Sequence, residues 1–202
     1  MKALILTYHR IAQTVSDPWS LCVTPSRFSE QLAMLSRFWS PISLHDLRSG
    51  LHQGFLPNRS VAVTFDDGYA DTLHAAQPSL ERFEVPATVF LITGSLGHEG
   101  GFWWDELEQS LLRPGTLPAT LKISVAGLVH EWNLGDEATY DERRAAQLHA
   151  WRAWEAPPTA RHRAYLSIWG VLQGLSARDR VAALAELREQ TGGAIGQSTS
   201  RP

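Results

Sequence analysis

Four stretches in the first ninety residues carry strand-like patterning, each followed by helix-like patterning. Ala3-Leu4-Ile5-Leu6-Thr7-Tyr8 is a nearly continuous apolar run, the pattern of a strand covered on both faces. Thr24-Pro25 then reads as a helix N-cap and first helical residue, with Phe28, Leu32, Leu35 and Phe38 on one helical face. Pro41 to Leu44 is the second strand. Ser43, with Asp46 three residues on, caps a short helix carrying Leu47 and Leu51 that Gly54 stops. Val61-Ala62-Val63-Thr64-Phe65 is the clearest strand, β-branched and aromatic without a charge. The helix after it places Leu73, Ala76, Leu80 and Phe83 inward, with a kink at Pro78. Ala87 to Ile92 is the fourth strand. Strand–helix units in series predict an α/β fold with a parallel sheet or barrel and right-handed crossovers.

Beyond Gly94 the pattern changes. Phe102 to Leu112 reads as a helix, Leu121 to Trp132 as a hairpin turning at Ala126-Gly127, and Asp141 to Trp154 and Ala164 to Leu175 as helices separated by Pro157-Pro158. Ala177 to Gln190 is a last helix with Val181, Leu184 and Leu187 inward. The expected organisation is an α/β portion over residues 1–95, a mainly helical portion with a small hairpin over 96–190, and a Gly/Ser/Thr-rich disordered tail over 191–202.

Composition narrows the function classes. With 44% hydrophobic and 19% charged residues, the chain of 202 residues is not intrinsically disordered. A net charge of -3 gives no nucleic-acid footprint. Cys22 is the single cysteine, which excludes an intramolecular disulfide and a Cys-based metal centre. No apolar stretch approaches a bilayer span and no secretory signal is visible at the N-terminus, so the expected location is cytoplasmic.

The chemistry concentrates at Thr64-Phe65-Asp66-Asp67-Gly68-Tyr69. Two adjacent carboxylates at the C-terminal end of a parallel strand lie where α/β folds place their sites. Successive residues leaving a strand point different ways, so one carboxylate can face a substrate while the other holds a metal. The competing reading makes either aspartate a cap of the next helix, and spacing alone leaves both open. Asp71, just past the motif, reads as a helix-start charge. Arg143-Arg144 and Arg161-His162-Arg163 read as solvated helix faces.

In this order and spacing, Thr7-Tyr8-His9-Arg10-Ile11, Thr64 to Asp71 and Val85-Pro86-Ala87-Thr88-Val89-Phe90 resemble the polysaccharide deacetylases, the NodB-homology domain of carbohydrate esterase family 4. Phe102-Trp103-Trp104-Asp105-Glu106-Leu107 is similar to the opening of a Trp-rich insertion in one branch. The resemblance implies a distorted (β/α) barrel that removes acetyl groups from sugars with a divalent metal, usually zinc. It assigns Asp66 as the general base and Asp67 as a metal ligand, with an N-acetylated sugar or polysaccharide as the partner. His9 follows the first strand on the same rim as Asp66 and reads either as a residue lining the site or as a surface or capping histidine, and the substrate-site candidates Trp103 and Trp104 read either as faces that stack on sugar rings or as core.

The chain also departs from that pattern. The family completes its metal site with an His-x-x-x-His type motif, and no two of the eight histidines here are three to five residues apart. The later motifs, including a catalytic histidine, are not found. The expectation is therefore a partial barrel of about four parallel strands, with an incomplete metal site and sheet edges open to self-association. The runner-up is a non-catalytic carbohydrate-binding or interaction domain that has lost the metal site, and the third reading is a truncated product without an independent role.

Overall fold

The computed structural model describes residues 2–95, 101–125 and 127–192. Its strands are β1 (Ala3–Tyr8), β2 (Arg10–Ile11), β3 (Cys22–Val23), β4 (Ser40–Pro41), β5 (Ser60–Phe65), β6 (Ala87–Val89), β7 (Gly115–Thr116), β8 (Thr120–Val125), β9 (Leu128–Asn133) and β10 (Thr139–Tyr140). Its helices are α1 (Pro25–Phe38), α2 (Leu44–Gln53), α3 (Gln77–Arg82), α4 (Trp103–Leu112), α5 (Glu142–Leu148), α6 (Ala160–Gln173) and α7 (Ala177–Gln190). No helix among the described residues is long and apolar enough to cross a membrane. The chain divides into two compact units. One holds the described residues of Met1–Thr14 and Leu21–Gly100, the other those of Val15–Ser20 and Gly101–Ser198.

The first unit is an open, four-stranded parallel sheet. β5 is its centre: β1 pairs along all of it, from Ala3 opposite Ser60 to Tyr8 opposite Phe65. β4 pairs with Ser60 and Val61, and β6 with Val63 to Phe65, so these two share the remaining edge of β5. Parallel strands stand at the four expected places, the second over Ser40–Pro41 rather than Pro41 to Leu44 because Leu44 already opens α2, and they do not close a barrel among the described residues. All six residues of β5 are buried, as an uncharged β-branched run requires.

The capping signals operate as chemistry demands. The Thr24 hydroxyl accepts from the Arg27 amide with Pro25 in the first turn, and Ser43 accepts from the Asp46 amide. Gly54 ends α2 at φ +74°, a left-handed position that a side chain rarely adopts.

Several expectations about burial are corrected. β1 is largely exposed rather than covered on both faces, with Ile5 at 51%. The fourth strand ends at Val89, and Phe90 and Leu91 lie beyond it, exposed. Phe38 and Leu51 are also exposed. Leu73 points outward because Thr72–Ala76 forms a π turn, with the Gln77 amide reaching the Thr72 carbonyl. The wider turn rotates Thr72 and Ala76 inward in place of Leu73, and Pro78 sits in the first turn of α3 just after it.

The second unit packs α4, α6 and α7 against the β8–β9 hairpin around Leu107, Leu111, Leu121, Ile123, Ile168 and Leu187. The segment 15–20 joins it: Trp19 Nε1 donates to the Tyr165 hydroxyl at 2.8 Å, and the Ala153 amide donates to the Pro18 carbonyl. Ala183 and Leu184 face inward, whereas Val181 is exposed. The expected solvated face at 161–163 is overturned for two of its three residues. Arg161 is fully buried, with its guanidinium donating to the carbonyls of Arg113 at 3.0 Å, Gly115 at 2.7 Å and Ala138, and lying 4.3 Å over the Tyr140 ring. His162 is buried beside it, whereas Arg163 is exposed, as are Arg143 and Arg144. The expected tail over 191–202 falls, from residue 193 on, outside the described residues.

Candidate active site at the C-terminal end of the parallel sheet

Three strand ends meet around Asp66 and Asp67. The Asp66 amide donates to the Tyr8 carbonyl at 2.9 Å, which extends the β1–β5 ladder by one rung and sets His9 beside the aspartates. Beyond β6, the Phe90 amide donates to the Phe65 carbonyl at 2.8 Å and the Ile92 amide to the Asp67 carbonyl at 3.2 Å. Below this rim Thr7 and Thr64 share a hydroxyl hydrogen bond of 3.0 Å. Tyr8 is edge-on to Phe28 and stacked on Phe65, and its hydroxyl donates to Gln31.

The turn itself is left-handed at two successive residues, Asp67 at φ +70° and Gly68 at φ +85°. A side chain at the second would also collide with Leu91, whose Cδ2 lies 2.4 Å from where a Cβ would stand. The tip of Leu91 can shift, so it is the left-handed φ that favours glycine there.

Neither aspartate caps the following helix, because the helical turn begins at Thr72 with Asp71 at the capping position. That removes the capping reading that spacing had left open. Burial pushes the Asp67 carboxyl above the usual carboxylate range; the neighbouring His9 opposes the shift, and the Asp66 charge adds to it. His9, Asp66 and Asp67 are thus brought into one electrostatic neighbourhood, all half-buried.

Asp71 stands at the start of the helical turn, as expected, and also reaches back to another strand. It makes no capping hydrogen bond and is buried, with Oδ2 accepting from Arg10 Nε and Oδ1 from the Ile11 amide, each at 3.0 Å. Nothing in the local sequence distinguishes a capping aspartate from one that reaches back to another strand.

Trp103 and Trp104 belong to the second unit. Trp103 packs on that unit's core and beneath the Arg180 guanidinium, 4.9 Å from its ring, while Trp104 stacks on Phe102 at 4.7 Å. Both are half-buried.

Among the described residues no group of three or more His, Cys, Asp and Glu side chains is placed to hold a metal ion. Zinc centres take at least three protein ligands, so the described residues do not fit a complete centre.

Comparison with known proteins bears on the same residues. Residues 54–116, which include the Asp66-Asp67-Gly68 turn, match the polysaccharide deacetylase family model. A poly-beta-1,6-N-acetyl-D-glucosamine N-deacetylase of Staphylococcus aureus is 29% identical over 110 residues, covering 48% of this chain and 38% of the relative. A putative polysaccharide deacetylase of Bacillus subtilis, YxkH, is 32% identical over 100 residues, covering 48% of this chain and 34% of the relative. The chain thus spans well under half the length of these relatives. Among solved structures, the Streptococcus pyogenes deacetylase PplD in complex with acetate is similar with a TM-score of 0.45 at 27% identity, over 54% of this chain and 51% of that one. Over the segment that carries the Asp66-Asp67-Gly68 turn, the chain is thus similar to polysaccharide deacetylases of the NodB-homology type.

Proposed function

We propose that this chain contributes the catalytic carboxylates of a hydrolase that removes acetyl groups from N-acetylated sugars, breaking a non-peptide C–N bond. The observation that carries the reading is the Asp66-Asp67-Gly68 turn at the C-terminal end of β5, with His9 held beside it. Asp66 is the general base: its carboxylate takes a proton from the water that attacks the acetyl carbonyl. The C–N bond then breaks, acetate leaves, and the sugar nitrogen gains a proton to become an amine. Asp67 and His9 are the chain's own donors toward a divalent cation, which the resemblance implies and which polarises a carbonyl oxygen when bound. No step is routed through that cation, since two donors do not complete its centre. The Staphylococcus aureus relative is named for a β-1,6-linked N-acetylglucosamine polymer, and an oligomer of that sugar is the first substrate to try.

The test is to incubate the protein with N-acetylglucosamine oligomers and measure free amine and acetate together. Equal release of both, abolished by Asp66→Asn with the fold intact, supports the reading. Retention of the oligomer without acetate release favours a non-catalytic carbohydrate-binding role instead. Calorimetry with zinc checks the donor set separately. Two donors predict weak binding that Asp67→Ala barely changes. Stoichiometric submicromolar binding lost in Asp67→Ala means that a further residue completes the centre.

A further inference from the structure

The segment that carries Asp66 and Asp67 is fastened to the end of β1 at two places. At its start, the Asp66 amide donates to the Tyr8 carbonyl at 2.9 Å. At its far end, the Asp71 carboxylate accepts from Arg10 Nε and from the Ile11 amide, both at 3.0 Å. The Arg10 guanidinium also lies 4.6 Å over the Tyr69 ring. Arg10 and Asp71 are 7% and 8% exposed. Burying both charges carries a desolvation penalty that their attraction does little more than offset, so net stability is a poor explanation for this pair.

We propose that Arg10 and Asp71 are positioning residues, a buried clamp that fixes His9 against the Asp66–Asp67 turn. His9 is the single residue between Tyr8 and Arg10. Its backbone is therefore held on one side through Asp66 and on the other through Asp71, by the same short segment. Between those two anchors lie the two left-handed residues, Asp67 and Gly68. A non-glycine residue persists in that conformation when its surroundings over-determine it, and a bidentate carboxylate reaching both a side chain and a backbone amide supplies such a constraint. The inference rests on the proposed roles of Asp66 and Asp67, but the clamp itself is read without any measurement of activity.

The experiment is native-state amide hydrogen exchange by NMR on the whole chain. The Arg10→Met/Asp71→Leu double variant removes both charges of this ion pair at once. Asp71→Asn is the second variant, nearly isosteric and uncharged. In each, the amides of Asp66 and Gly68 are expected to exchange at least about tenfold faster, while the amides of α1 keep their rates, the mark of a local opening. Retained protection at Asp66 and Gly68 overturns the proposal. So does acceleration of every amide by a common factor, which a pair serving only global stability produces. Failure to release acetate from any sugar would sink the deacetylase reading and leave the exchange result standing.

Discussion

Asp67 is held against two preferences at once, a left-handed backbone and a half-buried carboxylate whose ionisation burial and Asp66 both disfavour. Both effects predict that the residue is there for chemistry rather than stability. Asp67→Gly removes the strain and the charge together, and is expected to stabilise the first unit by about 1 kcal/mol. Asp67→Asn, which tolerates the left-handed region but keeps a side chain, should gain less. Urea unfolding of the two variants checks the order, and destabilisation by both would contradict it. The neighbouring Gly68→Ala has the opposite sign. Leu91 can yield at its tip, but φ +85° cannot be relieved, so a loss of about 1–2 kcal/mol is expected. Asp66 and Asp67 were legible in the sequence because a charge-free β-branched run announced a strand end immediately before them. Asp71 was not. Its partner Arg10 lies 61 residues away, and local spacing describes a cap and a long-range clamp equally well.

Helical elements were legible wherever a capping residue and an apolar face agreed, as at Thr24 and Ser43. They were misread where an irregular turn or a buried cation broke that agreement. The π turn at Thr72–Ala76 adds a residue to one turn and rotates Leu73 out. In α6, the buried face includes Arg161 and His162, polar types that pattern reading assigns to solvent. The buried Arg161 guanidinium donates to carbonyls at the end of α4, in β7 and in the 3-10 turn Gly135–Ala138. His162 sits in contact with the Thr159 hydroxyl at 2.7 Å from Nδ1 and edge-on to Trp151. Burial lowers it to about 4, with the Glu137 charge opposing and the Arg144 and Arg161 charges adding. The unfolded chain therefore binds a proton between about pH 6.5 and 4 that the folded second unit refuses. Stability contributed by the neutral ring is intact above that window and is lost as pH falls through it, by on the order of 3 kcal/mol in full. Tryptophan fluorescence follows this unit selectively, since all tryptophans but Trp39 fall within it. Denaturant unfolding at pH 7 and pH 4.5 should show a loss that shrinks in His162→Leu. An equal loss in both proteins would assign the pH dependence to other groups.

At the scale of the whole molecule, the parallel sheet and its open form were readable, because strand–helix alternation and the short supply of strands are both properties of the sequence. The sharing of one β5 edge by β4 and β6 was not, since strand order depends on crossovers rather than on local pattern. The consequence of the open form lies at two of the strands that flank β5. Among the described residues, β1 and β6 each pair only with β5, leaving the far side of each without a ladder partner. The apolar side chains there are exposed: Leu4 and Ile5 on β1, and Val89, Phe90 and Leu91 at β6 and just past it. Native sheets blunt such edges with charges, prolines or covering elements. Within β1 no charge interrupts the run from Ala3 to Tyr8. The expected behaviour is concentration-dependent self-association, read as a weight-average mass that rises with loading in sedimentation velocity. Ile5→Lys places a charge in the middle of the β1 edge at a position already exposed, so it should leave the core of the first unit intact. That variant is expected to sediment as a monomer at concentrations where the parent chain associates. A parent chain that stays monomeric across the accessible range would show that these edges are inert. Association that Ile5→Lys leaves unchanged would move the contact away from β1, either to the β6 side or to another surface.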